Sequence, residues 1–149
     1  MSISIQKEGS FRFPYSGLKK GDIAEMAERI CELLETGNAI ITIILTDNAY
    51  IRTINKKYRK KDRPTDVISF AYRENPFPAG DSSTEELGDV YLSLEQAALQ
   101  SRELGVTMRD ETARLLVHGI LHLLGYDHET SARDAVRMRK KEDEILGKL

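Results

Sequence analysis

"AIITIIL", Ala39–Leu45, is the longest predominantly apolar run in the chain. At seven residues it is far too short for the ~18 a membrane span needs, and it has strand length. Odd and even positions are both apolar, so the strand has no face to offer water. That pattern predicts a central strand in a sheet covered on both sides. A strand of this kind needs pairing partners beside it and helices above and below, and the flanking sequence supplies candidates for both.

Upstream, "DIAEMAERICELLE" (Asp22–Glu35) repeats Ile23, Met26, Ile30 and Leu33 at helical spacing. Asp22 with Glu25 makes a capping signature, and Gly37 supplies the stop. "SISI" near the N-terminus is a candidate edge strand. Downstream, "TDNAYIRTINKKYRK" predicts a helix begun by Thr46 or Asp47, with Ile51, Ile54 and Tyr58 on its inner face and Pro64 as its limit. "DVISFAY" (66–72) and "LGDVYLS" (87–93) read as further strands, separated by a long Pro- and Gly-containing surface loop over 73–86. A helix from Ser93 stops near Gly105. Another opens at Thr107 with Asp110, runs through Leu124 and closes at Gly125; a charged helix, "SARDAVRMRKKEDEIL", ends the chain. The expected class is α+β: a mixed sheet with helices packed on it, in one domain spanning 1–149.

Composition agrees with a packed domain. Hydrophobic residues make up 40% and charged residues 31%, which excludes the disordered class. The N-terminal "MSISIQKEGS" has neither the basic nor the apolar segment of a secretory signal, so a cytoplasmic location without a membrane partner is expected. Cys31 is the one cysteine, set among apolar helix residues, and reads as a small buried hydrophobe. A net charge of −2 neither demands nor forbids a polyanionic partner.

All three histidines fall within "HGILHLLGYDH", His118–His128. Residues four apart on a helix share a face, so His118 and His122 can reach one ion at ~2.0–2.1 Å. Gly125 can take the left-handed conformation that turns the chain and returns His128 to that face. Three imidazoles leave a fourth position open, the pattern of a catalytic zinc; a structural zinc usually fills all four positions and favours cysteine. The flanking leucines, Leu115, Leu116, Leu121, Leu123 and Leu124 among them, predict a helix buried on most sides. Asp127 is a candidate either for holding a ligand imidazole or for stabilising the turn.

His118, His122, Gly125 and His128 also reproduce the spacing of the metzincin protease motif. There the residue after the first histidine is a glutamate acting as general base. Here it is Gly119, which has no side chain to take a proton. Peptide hydrolysis is therefore demoted.

A second constellation lies between Arg52 and Arg63. It holds Arg52, Lys56, Lys57, Arg59, Lys60, Lys61 and Arg63 against Asp62 alone. Such a run is most often a solvated face. Beside a hydrolytic metal it becomes a candidate contact for phosphates, with an arginine's forked donors suited to charge on a phosphate.

Together, "HGILHLLGYDH", "NKKYRKKDRPTDVISF" and "LGDVYLS" resemble the YbeY family of bacterial metal-dependent endoribonucleases, from about Ile40 to His128. Ile68 stands where that pattern more usually has leucine. The resemblance implies an α-β-α fold related to zincin-like hydrolases and one zinc held by His118, His122 and His128. It also implies cleavage of single-stranded RNA, with roles in small-subunit rRNA 3′-end maturation and ribosome quality control, and an important arginine at Arg59. The partners expected are rRNA and the ribosome or its small subunit, not DNA. Arg59 is then the candidate catalytic residue, and Lys56, Lys60 and Lys61 are candidates for following the RNA backbone without reading its sequence. The competing class is a zinc-stabilised ribosome assembly factor that cuts nothing. Asp66 and Asp89 are candidate general bases, weighed against capping or turn roles.

Overall fold

The computed structural model describes residues 2–74 and 85–149. Most of the loop expected over 73–86 lies outside these residues.

Four strands, β1 (Ser2–Lys7), β2 (Ala39–Thr46), β3 (Val67–Ala71) and β4 (Glu85–Ser93), form a sheet in the order β1-β2-β4-β3. β2 lies between β1 and β4, parallel to both, and β3 closes the far edge antiparallel to β4. The all-apolar run thus occupies an interior strand, and "SISI" is the opposite edge. Ile41, Ile43 and Leu45 are buried on one face of β2, and Ile44 is buried on the other. Beside β2 the register with β4 slips between Ile40 and Ile41, which pair with Glu86 and Gly88. Gly88 has φ +143°, and a Cβ there would collide with the carbonyl of Phe70. Only glycine lets β3 close against β4 at this point.

Five helices cover the sheet: α1 (Lys20–Leu33), α2 (Asn48–Arg59), α3 (Leu94–Leu104), α4 (Met108–Leu123) and α5 (Ala132–Leu146). Buried residues of α1, α3, α4 and α5 join Ile41, Ile43, Leu45, Val90 and Leu92 in the main core cluster. Ile44, Ile51 of α2 and Ile68 of β3 are buried outside that cluster. Helices therefore lie on both faces, as the strand pattern requires.

Local signals place most helix ends. Asp47, Ser93 and Thr107 each accept the backbone N–H three residues on, and Gly105 (φ +67°) ends α3. Two expectations need correction, the start of α1 and the side taken by Tyr58. α1 starts at Lys20, so Asp22 is not its cap but the third helical residue, whose carboxylate accepts the Lys19 N–H at 2.9 Å. An acid in the first turn can serve either end of a capping box, so the residue type alone does not fix the register. α2 ends at Arg59 on left-handed Lys60 (φ +59°), as the predicted stretch does, ahead of the limit at Pro64. Tyr58 is 55% exposed rather than inward; in the last turn of α2 it meets the Phe70 ring at an angle, with ring centroids 5.2 Å apart, and Asn55 takes the buried place.

Cys31 is fully buried, and burial pushes its thiol up to about 11. It is a packing residue without thiolate character at neutral pH.

Candidate metal centre

α4 is sheathed in apolar side chains, with Leu115, Leu116, Val117, Ile120, Leu121 and Leu123 all buried. His118 and His122 emerge one turn apart on its remaining face, and Gly125 (φ +95°) turns the chain so that His128 comes back beside them. The ring centroids are 4.8 Å apart for His118–His122 and 5.3 Å for each of the other two pairs. One nitrogen from each ring falls within 4.8 Å of the others. The Nε2 atoms of His118 and His122 are 3.2 Å apart. Two nitrogens bound tetrahedrally at ~2.0–2.1 Å would stand about 3.3 Å from each other, so this pair fits a zinc-sized ion.

Electrostatics point the same way. Burial, then repulsion from His118 and His128, holds the His122 imidazole below the ordinary histidine value. A neutral ring keeps the lone pair a metal requires. On its far side the His118 ring meets α5, where Nδ1 lies 3.4 Å from Glu142 Oε1. Asp127 performs the turn role instead, its Oδ1 accepting the Glu129 N–H at 2.8 Å.

The histidines form one wall of a cleft of about 400 Å3. The opposite wall is Thr65–Ala71, leading into and along β3, and Arg59 stands at the rim. A larger hollow of about 550 Å3 lies between α1 and the ends of α4 and α5, lined by Met26, Leu104, Val106 and Leu149 among others. It contains none of the histidines, so chemistry rather than size selects the cleft.

The basic run divides under the geometry. Arg52 and Lys56 are drawn to Asp62, at 2.8 and 4.0 Å, and Lys57 lies over the Tyr58 ring. Arg59, Lys60 and Lys61 are exposed and have no carboxylate within ion-pair distance among the described residues. Arg59 lines the cleft; Lys56, Lys60 and Lys61 do not, and are exposed along the end of α2 and just beyond it.

Neither candidate base is free. Asp66 lines the cleft, but its Oδ1 accepts the Val67 N–H at 2.7 Å and its Oδ2 the Gln100 amide at 3.3 Å. Asp89 is outside the cleft lining and accepts the Tyr72 hydroxyl at 2.9 Å, an arrangement that together with burial pushes Tyr72 up to about 12. Both carboxylates act as struts here.

Gly119 explains why the protease arrangement does not arise. A Cβ on it would approach Val90 Cγ1 to 2.8 Å, and Ser69 Oγ and Val67 Cγ2 to 3.2 Å. Its missing side chain would face the sheet, and the helix packs too closely there for a glutamate.

The sequence reading passed over two acidic groups, one beside His118 and one in the interior behind the cleft. Glu142 was indistinguishable from its acidic neighbours on a charged helix. The buried Glu111 is gripped by Arg114 through two bonds of 2.8 and 2.7 Å and by Gln100 at 2.6 Å. That Gln100 also reaches Asp66, so a polar network runs from the cleft through the interior.

The chain matches the family model described as endoribonuclease YbeY over residues 15–149. It is 48% identical over 132 residues to the endoribonuclease YbeY of Sulfurihydrogenibium sp. (strain YO3AOP1), covering 89% of this chain and 84% of the relative. The Persephonella marina protein of the same description is 46% identical over 144 residues, covering 97% and 90%. Among solved structures, the solution structure of TM1509 from Thermotoga maritima superposes with a TM-score of 0.63 at 27% identity, over 97% of this chain and 86% of that one.

Proposed function

Since this chain belongs to the YbeY endoribonuclease family, we propose that it is a zinc-dependent, single-strand-specific endoribonuclease. Its substrate on this reading is the precursor 3′ end of small-subunit rRNA, met on or near the ribosome in the cytoplasm. The observation that carries the proposal is the convergence of His118, His122 and His128 in the cleft that Arg59 also lines.

The three imidazoles would hold the ion, which supplies Lewis acidity to a phosphoryl oxygen when bound. Arg59 offers a planar fork of donors at the cleft rim. It binds the scissile phosphate and stabilises the charge that builds on it during cleavage. Lys60 and Lys61, with Lys56 further back along α2, attract the phosphates on either side without contacting bases, which suits cleavage governed by strandedness more than by sequence. β3 forms the facing wall of the cleft. No helix of the described residues is long and apolar enough to cross a membrane.

The test compares the zinc-loaded parent with His122→Ala on single-stranded RNA carrying an rRNA 3′ precursor, with folding checked by circular dichroism. The expected result is cleavage by the parent alone with both proteins folded. Equal cleavage by both would remove the activity from this site. Zinc binding without cleavage by the parent would favour an assembly factor.

A further inference from the structure

We propose that Glu142 is the positioning residue of the metal centre, holding His118 by Nδ1 so that its Nε2 lone pair faces the ion. The assignment rests on the metal-centre reading above and adds to it a residue from a different helix.

Three observations carry it. The His118 ring has its Nε2 turned toward His122, 3.2 Å away, and its Nδ1 turned into the protein. At that half-buried side stands a carboxylate, Glu142 Oε1, at 3.4 Å. The Glu142 side chain is 17% exposed, whereas Glu144 on the same helix is 46% exposed and spends its charge on Lys141 and Lys148. The other acids near the ligands are otherwise occupied or largely in water: Asp127 caps its own turn, and Glu129, whose carboxylate lies 3.8 Å from His128 Nε2, has a side chain 71% exposed.

The physical reason concerns tautomers. A neutral imidazole carries its proton on either nitrogen, and only the Nδ1–H form presents Nε2 to a metal. A carboxylate at Nδ1 selects that form, fixes the ring's rotation and raises the basicity of the ligating nitrogen. The packing of α5 on α4, which buries Met138 and Ile145, thereby sets how well His118 binds.

The experiment measures zinc affinity of the full chain by chelator competition, for the parent and for Glu142→Ala, Glu142→Gln and the surface control Glu144→Gln, with metal-free melting temperatures alongside. Loss of the partner should weaken zinc binding by about 10–100-fold in Glu142→Ala. Glu142→Gln, which can still accept from Nδ1–H but lacks the charge, should fall between it and the parent; if the alanine variant does not fold, the near-isosteric glutamine variant carries the test. Glu144→Gln should stay within about twofold of the parent, and metal-free melting should be little changed. Parent-like affinity in both Glu142 variants would overturn the assignment while leaving the metal centre standing. So would an affinity loss that tracks a fall in metal-free melting temperature, the mark of a mere helix-to-helix tie. A parent that binds no zinc would overturn the metal-centre reading itself, and this assignment with it.

Discussion

Ser69 donates its hydroxyl to the carbonyl of Gly119 at 2.9 Å, tying edge strand β3 to the helix that carries two of the three histidines. One wall of the cleft is thereby fastened to the other at the residue directly after the first histidine. The bond needs α4 to lie close to the sheet, and only a residue without a Cβ permits that.

Gly119→Ala tests this closeness. In an exposed helix the change would stabilise by about 1 kcal/mol. Here the added Cβ meets buried Val90 at 2.8 Å. We expect a net loss of about 1–3 kcal/mol in denaturant unfolding, the usual cost of overpacking a core. A gain in stability would show that the helix can move away from the sheet at little cost.

Arg59→Ala should reduce single-turnover RNA cleavage by about 10²–10³-fold, the scale for removing one donor to a developing charge. Melting should be unchanged, because the side chain is exposed at the helix end. Arg59→Lys should recover only part of the rate, since the charge is kept and the fork is lost. Full recovery by lysine would mean that charge alone suffices.

Acid should destabilise the metal-free protein through His122. Its folded value is held below the ordinary 6.5, first by burial and then by its histidine neighbours. As pH falls below that ordinary value, the unfolded chain takes up a proton that the folded one still refuses. Stability therefore rises with pH in this window. It is full above about pH 6.5 and declines as pH drops through the lower folded value. Thermal midpoints of metal-free protein between pH 7.5 and 5 check the sign, and His122→Ala should flatten the curve. Bound zinc should be displaced over a similar range, because protons compete for the same nitrogens.

Arg114→Met should cost about 2–3 kcal/mol in urea unfolding. Glu111 is 1% exposed and would be left with a buried charge held only by Gln100. The loss stays below the ~3–5 kcal/mol of a fully buried pair because the Arg114 side chain is 41% exposed. The double variant Arg114→Met/Glu111→Leu should recover much of it; no recovery would mean the pair matters beyond its own desolvation.

Neutralising Lys60 and Lys61 together, as Lys60→Gln/Lys61→Gln, should weaken RNA binding across sequences and lower the salt slope by up to about 2. Lys56→Gln should do less, because Asp62 already draws on its charge at 4.0 Å. A salt slope indifferent to all three would return the run to solvated surface.

Much of this molecule was legible in one dimension because the signals are local. An isoleucine run of strand length, apolar on both sides, suits an interior strand, and β2 is one. Asp47, Ser93 and Thr107 cap the helices that follow them, since a cap needs nothing more than the next three residues. The histidine triad is likewise a property of one helix, one glycine and one turn. The sequence did not reveal what depends on residues far apart in the chain. Glu142 stands out from its acidic neighbours only because α5 packs on α4 and presents that one position to His118. Arg59 is set apart from Lys60 and Lys61 only because the end of α2 brings it into the lining of the cleft. Asp66 and Asp89 had the right chemistry for a base, yet Val67, Gln100 and Tyr72 occupy them. Side-chain chemistry and helical spacing are written residue by residue, whereas which partner takes each donor and acceptor is decided when the layers close.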